Sequence, residues 1–81
     1  MQVTVKLFSF LGQIVGTNRL SVDLIDGASV SDLLNSLSIQ FDNQLLKSEQ
    51  VVVLINQKQA SFQSILNEND YVLLLPVLGG G

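Results

Sequence analysis

Apolar and polar residues alternate through QVTVKLFSF, with Val3, Val5 and Leu7 on one side and Gln2, Thr4 and Lys6 on the other. That period of two predicts a half-buried strand over residues 2–9. The alternation breaks at LGQIVG, which predicts a short helical turn closed by Gly16 in a left-handed cap. Gly12 and Gly16 also spell GxxxG, but the stretch is too short and too polar for a membrane helix contact, so capping explains them. Alternation resumes in NRLSVDLIDG, where Leu20, Val22 and Leu24 oppose Arg19, Ser21 and Asp23. This second strand is stopped by Asp26 and Gly27 and forms a hairpin with the first.

The period then lengthens. In SVSDLLNSLSIQF, Ser29 can cap a helix and Asp32 can return the bond, while Val30, Leu33, Leu34, Leu37 and Phe41 form one apolar stripe. This is the only long helix, and its stripe is core. Residues 42–50 are polar and read as loop, whereas VVVLI at 51–55 has the β-branched density of a strand buried on both faces. Asn56 and Gln57 turn the chain into a short edge strand at 58–60, and residues 62–66 read as a helical turn. YVLLL is the closing strand, also expected to be covered on both faces, and Pro76 ends it because proline cannot donate a ladder hydrogen bond.

One helix with a single apolar stripe and two inner strands predict a mixed sheet of four to five strands over one main helix, with the first and last strands adjacent. That α+β arrangement is the β-grasp, or ubiquitin-like, fold. Its domain is expected at 1–75, with a flexible glycine-rich C-terminal tail at 76–81.

Composition narrows the chemistry. The 81 residues contain neither cysteine nor histidine, which removes disulfides, thiolate chemistry, imidazole bases and the usual zinc ligands; no metal site is expected. Asp23, Asp26 and Asp70 read as solvated turn residues rather than a catalytic carboxylate pair. Net charge is −3 and the four cations are scattered, so no nucleic-acid footprint is expected. A basic partner suits this balance better. No apolar run reaches the roughly 20 residues of a bilayer span, and no secretory pattern opens the chain, so no membrane role is expected and the cytoplasm is the expected compartment. Hydrophobic residues make up 47% of the chain and charged residues 14%, a surplus that a small core does not absorb completely.

The chain closes on LLLPVLGGG. Residues 76–81 could extend roughly 20 Å at about 3.3–3.6 Å per residue. Glycines lack Cβ, so a narrow channel can close around them while a terminal carboxylate reaches a remote active site. Such a carboxylate is inert until a partner activates it, most simply as an acyl-adenylate made from ATP. A sulfide equivalent then gives a thiocarboxylate, and an amine gives an amide. Terminal glycines alone are equally what an unstructured end or an expression remnant leaves. A phosphate-binding loop is excluded, because it must open a helix and this stretch opens none.

LGQIVGT after the first strand, IDGASVSDLLNSL, VLINQ, NENDYVLLLPV and the glycine end together resemble the small subunit of molybdopterin synthase, the MoaD-type proteins, nearly end to end. The resemblance places the chain within the MoaD/ThiS ubiquitin-like sulfur carriers. It implies that Gly81, or Gly80 after trimming, is adenylated by a MoeB-like enzyme of the ubiquitin-activating type. ATP is consumed by that enzyme, and no cofactor is bound by the carrier itself. A sulfurtransferase then supplies sulfur, and a MoaE-like large subunit, in a heterotetramer, uses the thiocarboxylate on cyclic pyranopterin monophosphate. The carrier has no autonomous active site in this reading. The expected docking surface is Leu75, Pro76, Val77, Leu78 and Gly79, helped by Phe8 or Phe10. A lysine-conjugated modifier and a ThiS-type carrier for thiazole synthesis share the same activated end.

Four departures from the MoaD pattern stand out. Gly12 and Gln13 replace an arginine and a glutamate, Asn69-Asp70 replaces glycine-aspartate, Leu75-Pro76 replaces a double proline, and Gly81 is one residue beyond the matched glycine pair.

Overall fold

The computed structural model describes residues 1–77; Leu78, Gly79, Gly80 and Gly81 lie outside the described residues. The chain runs β1 (Gln2–Leu7), α1 (Phe10–Val15), β2 (Arg19–Asp23), α2 (Val30–Gln40), a 3-10 turn (Gln44–Lys47), β3 (Val51–Ile55), β4 (Lys58–Gln59) and β5 (Tyr71–Pro76). The strands lie in the order β2-β1-β5-β3-β4, with β1 and β5 parallel at the centre and every other pairing antiparallel. This is the expected β-grasp.

The local signals act as the residue types dictate. Gly16 adopts the left-handed conformation at φ 89° and its N–H closes α1 on the Gly12 carbonyl. Ser29 Oγ accepts from the Asp32 N–H while the Asp32 carboxylate accepts from the Ser29 N–H, a complete capping box on α2. Val30, Leu33, Leu34 and Leu37 are buried against Val3, Val5, Leu7, Val53, Val72 and Leu74 of the sheet.

Five features differ from the sequence-based expectation, the last being the reach of β5 beyond residue 75. β1 ends at Leu7, and Phe8 and Ser9 form the link to α1. The polar stretch after α2 contains a 3-10 turn that buries Leu46 completely in the core. Residues 62–66 form no helix; Ile65 bridges Ser29 instead, and Leu66 donates to the Ala28 carbonyl. The inner strands are covered on one face only: β5 alternates half-buried Tyr71, Leu73 and Leu75 with buried Val72, Leu74 and Pro76. Among the described residues, α2 together with α1 and the 3-10 turn covers one face of the five-stranded sheet, and no element covers the opposite face.

The sheet also runs through Pro76, which is buried opposite Val51, and the Val77 N–H donates to the Gln50 carbonyl at 2.7 Å. Backbone N–H groups alternate sides along a strand, so the Pro76 nitrogen faces away from β3, on the side where β1 has already given way to α1. The missing donor therefore leaves the β3–β5 ladder intact.

Candidate functional site

The elements converge on the end of the sheet from which β5 leaves. Phe8 donates its N–H to the Leu74 carbonyl at 3.0 Å, which sets it beside Leu75. α1 follows at once and packs against β5. Phe10, the first residue of α1, is 46% exposed, and Val77, the last described residue, is 44% exposed. The link between the two phenylalanines is strained: Ser9 sits at φ 55° and ψ −141°, backbone space that glycine prefers. The end of β5 thus carries half-exposed apolar groups, Phe8 and Leu75 side by side with Phe10 and Val77 exposed.

From this end the open face of the sheet continues inward. Pairing puts Val52 beside Leu75, and Leu54 beside Leu73, all four half-buried. Lys6 stands opposite Leu73 on β1 and opposite Arg19 on β2. The Lys6 ammonium lies 5.3 Å above the Phe8 ring, and the Arg19 guanidinium 5.7 Å from the centre of the Tyr71 ring.

Among the residues expected at the site, the structure sets Phe8 beside Leu75 and leaves Phe10 and Val77 exposed at the start of α1 and just past β5. Pro76 belongs to the same strand but is buried, so its ring fills the core rather than facing outward. Leu78, Gly79, Gly80 and Gly81 are outside the described residues. Sequence reasoning misses Val52, Leu54 and Leu73 as surface, although a signal exists. Leu73 shares the parity of Leu75, and one helix cannot cover both faces of YVLLL. Lys6 looks like an ordinary surface charge in the sequence; its pairing with Arg19 is invisible until the register is known.

Asp70 corrects its expectation as a solvated turn residue. It is only 8% exposed, accepts from the Asn56 side-chain amide at 2.9 Å and from the Asn67 N–H at 2.8 Å, and so anchors the turn into β5. The neighbouring Asn69 takes the left-handed conformation at φ 68°, which asparagine tolerates. Asp26 is engaged elsewhere, 3.6 Å from the N-terminal ammonium. A groove of about 290 Å³ between Val51–Val53 and residues 59–63 carries one titratable side chain, Glu49. One carboxylate among amides and alkyl groups offers no acid–base pair. No helix among the described residues is long and apolar enough to cross a membrane.

The model of the ThiS family matches residues 5–81. The chain belongs to this family. Its members' ubiquitin-like fold recurs among solved structures. Small archaeal modifier protein 1 of Methanosarcina acetivorans is 28% identical, covers 99% of this chain and 96% of its own, and superposes with a TM-score of 0.79. The Pyrococcus furiosus protein assigned as molybdopterin converting factor, subunit 1, is 23% identical over 96% of this chain and 99% of its own, at a TM-score of 0.86. SAMP1 of Haloferax volcanii is 24% identical over 100% of both chains, at a TM-score of 0.84. No curated protein is similar enough in sequence to register as a match.

Proposed function

We propose that this ThiS-family chain is a sulfur carrier whose C-terminal glycine, Gly81, is the reacting group, and that it serves as the small subunit of a molybdopterin synthase. The Gly81 carboxylate attacks the α-phosphorus of ATP on an adenylating partner, pyrophosphate leaves, and an acyl-adenylate forms. A sulfide equivalent from a sulfurtransferase then attacks the carbonyl carbon and AMP leaves, so the terminal carboxylate becomes a thiocarboxylate. A MoaE-like large subunit would receive the charged tail and pass its sulfur to cyclic pyranopterin monophosphate.

The observation that carries this reading is the pairing of a family match through residue 81 with a sheet that hands the chain out at an exposed Val77. The globule acts as a handle. Phe8 and Leu75 side by side, with Phe10 and Val77 exposed at the start of α1 and just past β5, are apolar groups of the kind that supply most of the affinity for a threaded peptide. No chemistry is asked of the domain itself.

The test is intact-mass analysis after incubation with ATP, a ubiquitin-activating-type enzyme and a sulfur donor. The expected product has one oxygen exchanged for sulfur, and a chain lacking Gly80 and Gly81 should gain nothing. Sulfur loading of that truncated chain would falsify the proposal. A second reading, a protein modifier joined to lysines, is favoured by the likeness to the Methanosarcina acetivorans modifier. It predicts isopeptide-linked adducts in cell extract where the sulfur-carrier reading predicts free thiocarboxylate.

A further inference from the structure

β2 forms one edge of the sheet, and that edge is undefended. Edge strands invite pairing with another chain, and folds blunt them by shortness, proline, lysine or bulges. The opposite edge follows this rule, since β4 has two residues and one of them is Lys58. β2 does not: its five residues, RLSVD, contain neither proline nor lysine and pair with β1 in unbroken register. The Leu24 N–H donates to the Met1 carbonyl and the Leu7 N–H to the Asn18 carbonyl, so the even-numbered residues of this stretch bond to β1. The N–H and C=O groups of Arg19, Ser21 and Asp23 therefore point outward. Among the described residues those of Ser21 and Asp23 have no partner, while those of Arg19 meet only the Thr17 hydroxyl, at 3.3 and 3.1 Å.

The edge also complements itself. Turned antiparallel about Ser21, a second copy of RLSVD sets Ser21 opposite Ser21, Arg19 opposite Asp23 and Asp23 opposite Arg19. In that register outward groups meet outward groups: the two Ser21 residues exchange N–H···O bonds, and each Asp23 N–H reaches the Arg19 carbonyl of the other copy, which keeps a lone pair beside Thr17. The Arg19, Ser21 and Asp23 side chains are exposed and share one face, so each guanidinium comes against a carboxylate across ~4.5–5.5 Å between Cβ atoms. A single copy offers Arg19 no such partner. It stands opposite Lys6, a like-charged pairing that weakens a sheet, and the one ion pair among the described residues joins the N-terminus to Asp26.

We infer that β2 is a homodimer edge: two copies pair their β2 strands about a two-fold axis at Ser21 into one continuous sheet, held in register by reciprocal Arg19–Asp23 ion pairs. The interface is isologous, so it closes at two copies. β1 separates β2 from β5, which leaves both chain exits free, and the inference stands apart from the proposed terminal chemistry. A five-residue edge is a small interface, so the dimer is weak and reversible.

Sedimentation equilibrium of the full chain from micromolar to millimolar concentration tests this, with circular dichroism as the check on folding. The wild-type mass should rise from monomer toward dimer, and added salt should weaken the association because the ion pairs lie at the surface. Arg19→Asp sets carboxylate against carboxylate across the edge, and Asp23→Arg sets guanidinium against guanidinium. Each variant alone should dimerise at least about tenfold more weakly than wild type. Mixed in equal amounts, the two are complementary at both ends of the strand and should recover the wild-type association. Both keep a negative net charge, so bulk attraction does not draw them together. Ser21→Pro removes the central outward donor while sparing the β1 ladder, and should be monomeric. A wild-type chain that stays monomeric at millimolar concentration would overturn the inference and leave the edge to a strand of another protein. Single variants that dimerise as tightly as wild type, or a mixture that stays monomeric, would overturn it as well and assign any self-association to a different surface.

Discussion

The two faces of the sheet are built from the same strands, yet they have opposite compositions. Toward α2, β1 and β5 present Val3, Val5, Leu7, Val72 and Leu74, each no more than 2% exposed. On the other face the same two strands present Thr4, Lys6, Tyr71, Leu73 and Leu75, all half-buried. Leu73 and Leu74 are therefore adjacent leucines with different tasks. The covered face makes the domain stable, and the open face carries an apolar strip that stability does not require. The hydrophobic content of 47% exceeds what so small a core absorbs, and part of the surplus gathers in this strip, the kind of surface a partner can cover.

The sharpest way to break this contrast is to truncate each leucine. Leu74→Ala removes a fully buried side chain and should destabilise the fold by about 2–5 kcal/mol, much of the margin of a small domain. Its denaturant midpoint should fall far below wild type. Leu73→Ala should cost under about 1 kcal/mol and leave the midpoint close to wild type, while weakening capture by the activating enzyme. Equal loss of stability in the two variants would mean that the open face is core after all.

Asp70→Ala comes next. It strips the partner from the Asn56 amide and the Asn67 N–H in a site that is only 8% exposed, and should cost about 1–3 kcal/mol, read by urea titration. Asp70→Asn keeps an acceptor and should recover part of the loss. This anchor also shows how much of the molecule was legible in the sequence. The strand alternation, the capping box and the glycine cap are local codes, and each one appears where the residues demand it. Asp70 defeats a local reading because one of its partners, Asn56, lies fourteen residues away and is brought to it only by the β3–β5 register. Leu46 escapes for a related reason, since one buried leucine in a polar stretch has no period to reveal it. The end of the last strand was legible to within one residue, because a strand running into proline needs only local reading. The open face was not, because which side of a strand stays bare depends on what the rest of the chain can cover.

Ser29→Ala probes the covered side from its helix. It removes the side-chain acceptor for the Asp32 N–H and should cost about 1 kcal/mol, a fall in Tm of a few degrees for a domain of this size. The change lies on the helical layer, remote from Phe8 and Val77, so binding to the activating enzyme should be unaffected. A binding defect equal to that of Leu73→Ala would mean that the partner contacts the helical layer as well.

The smallest expected effect concerns the charges on the open face. Lys6→Glu replaces a like-charged cross-strand pair with an opposite one, worth about 0.2–1 kcal/mol, but it also loses the Lys6–Phe8 contact, worth about 0.5–1 kcal/mol at an exposed site. The two terms nearly cancel in Tm, so the informative quantity is the salt response. Salt shortens the Debye length from ~30 Å at about 0.01 M to ~3 Å at about 1 M, which relieves the Lys6–Arg19 repulsion in the wild-type chain and screens the new attraction in the variant. The Tm of Lys6→Glu relative to wild type should therefore fall as salt rises. Lys58→Glu alters net charge equally but sits on β4, where its partner is Ile55, and supplies the control. Matching salt responses in the two variants would show that Lys6 and Arg19 do not oppose each other in solution, and the electrostatic distinction between the faces would go with them.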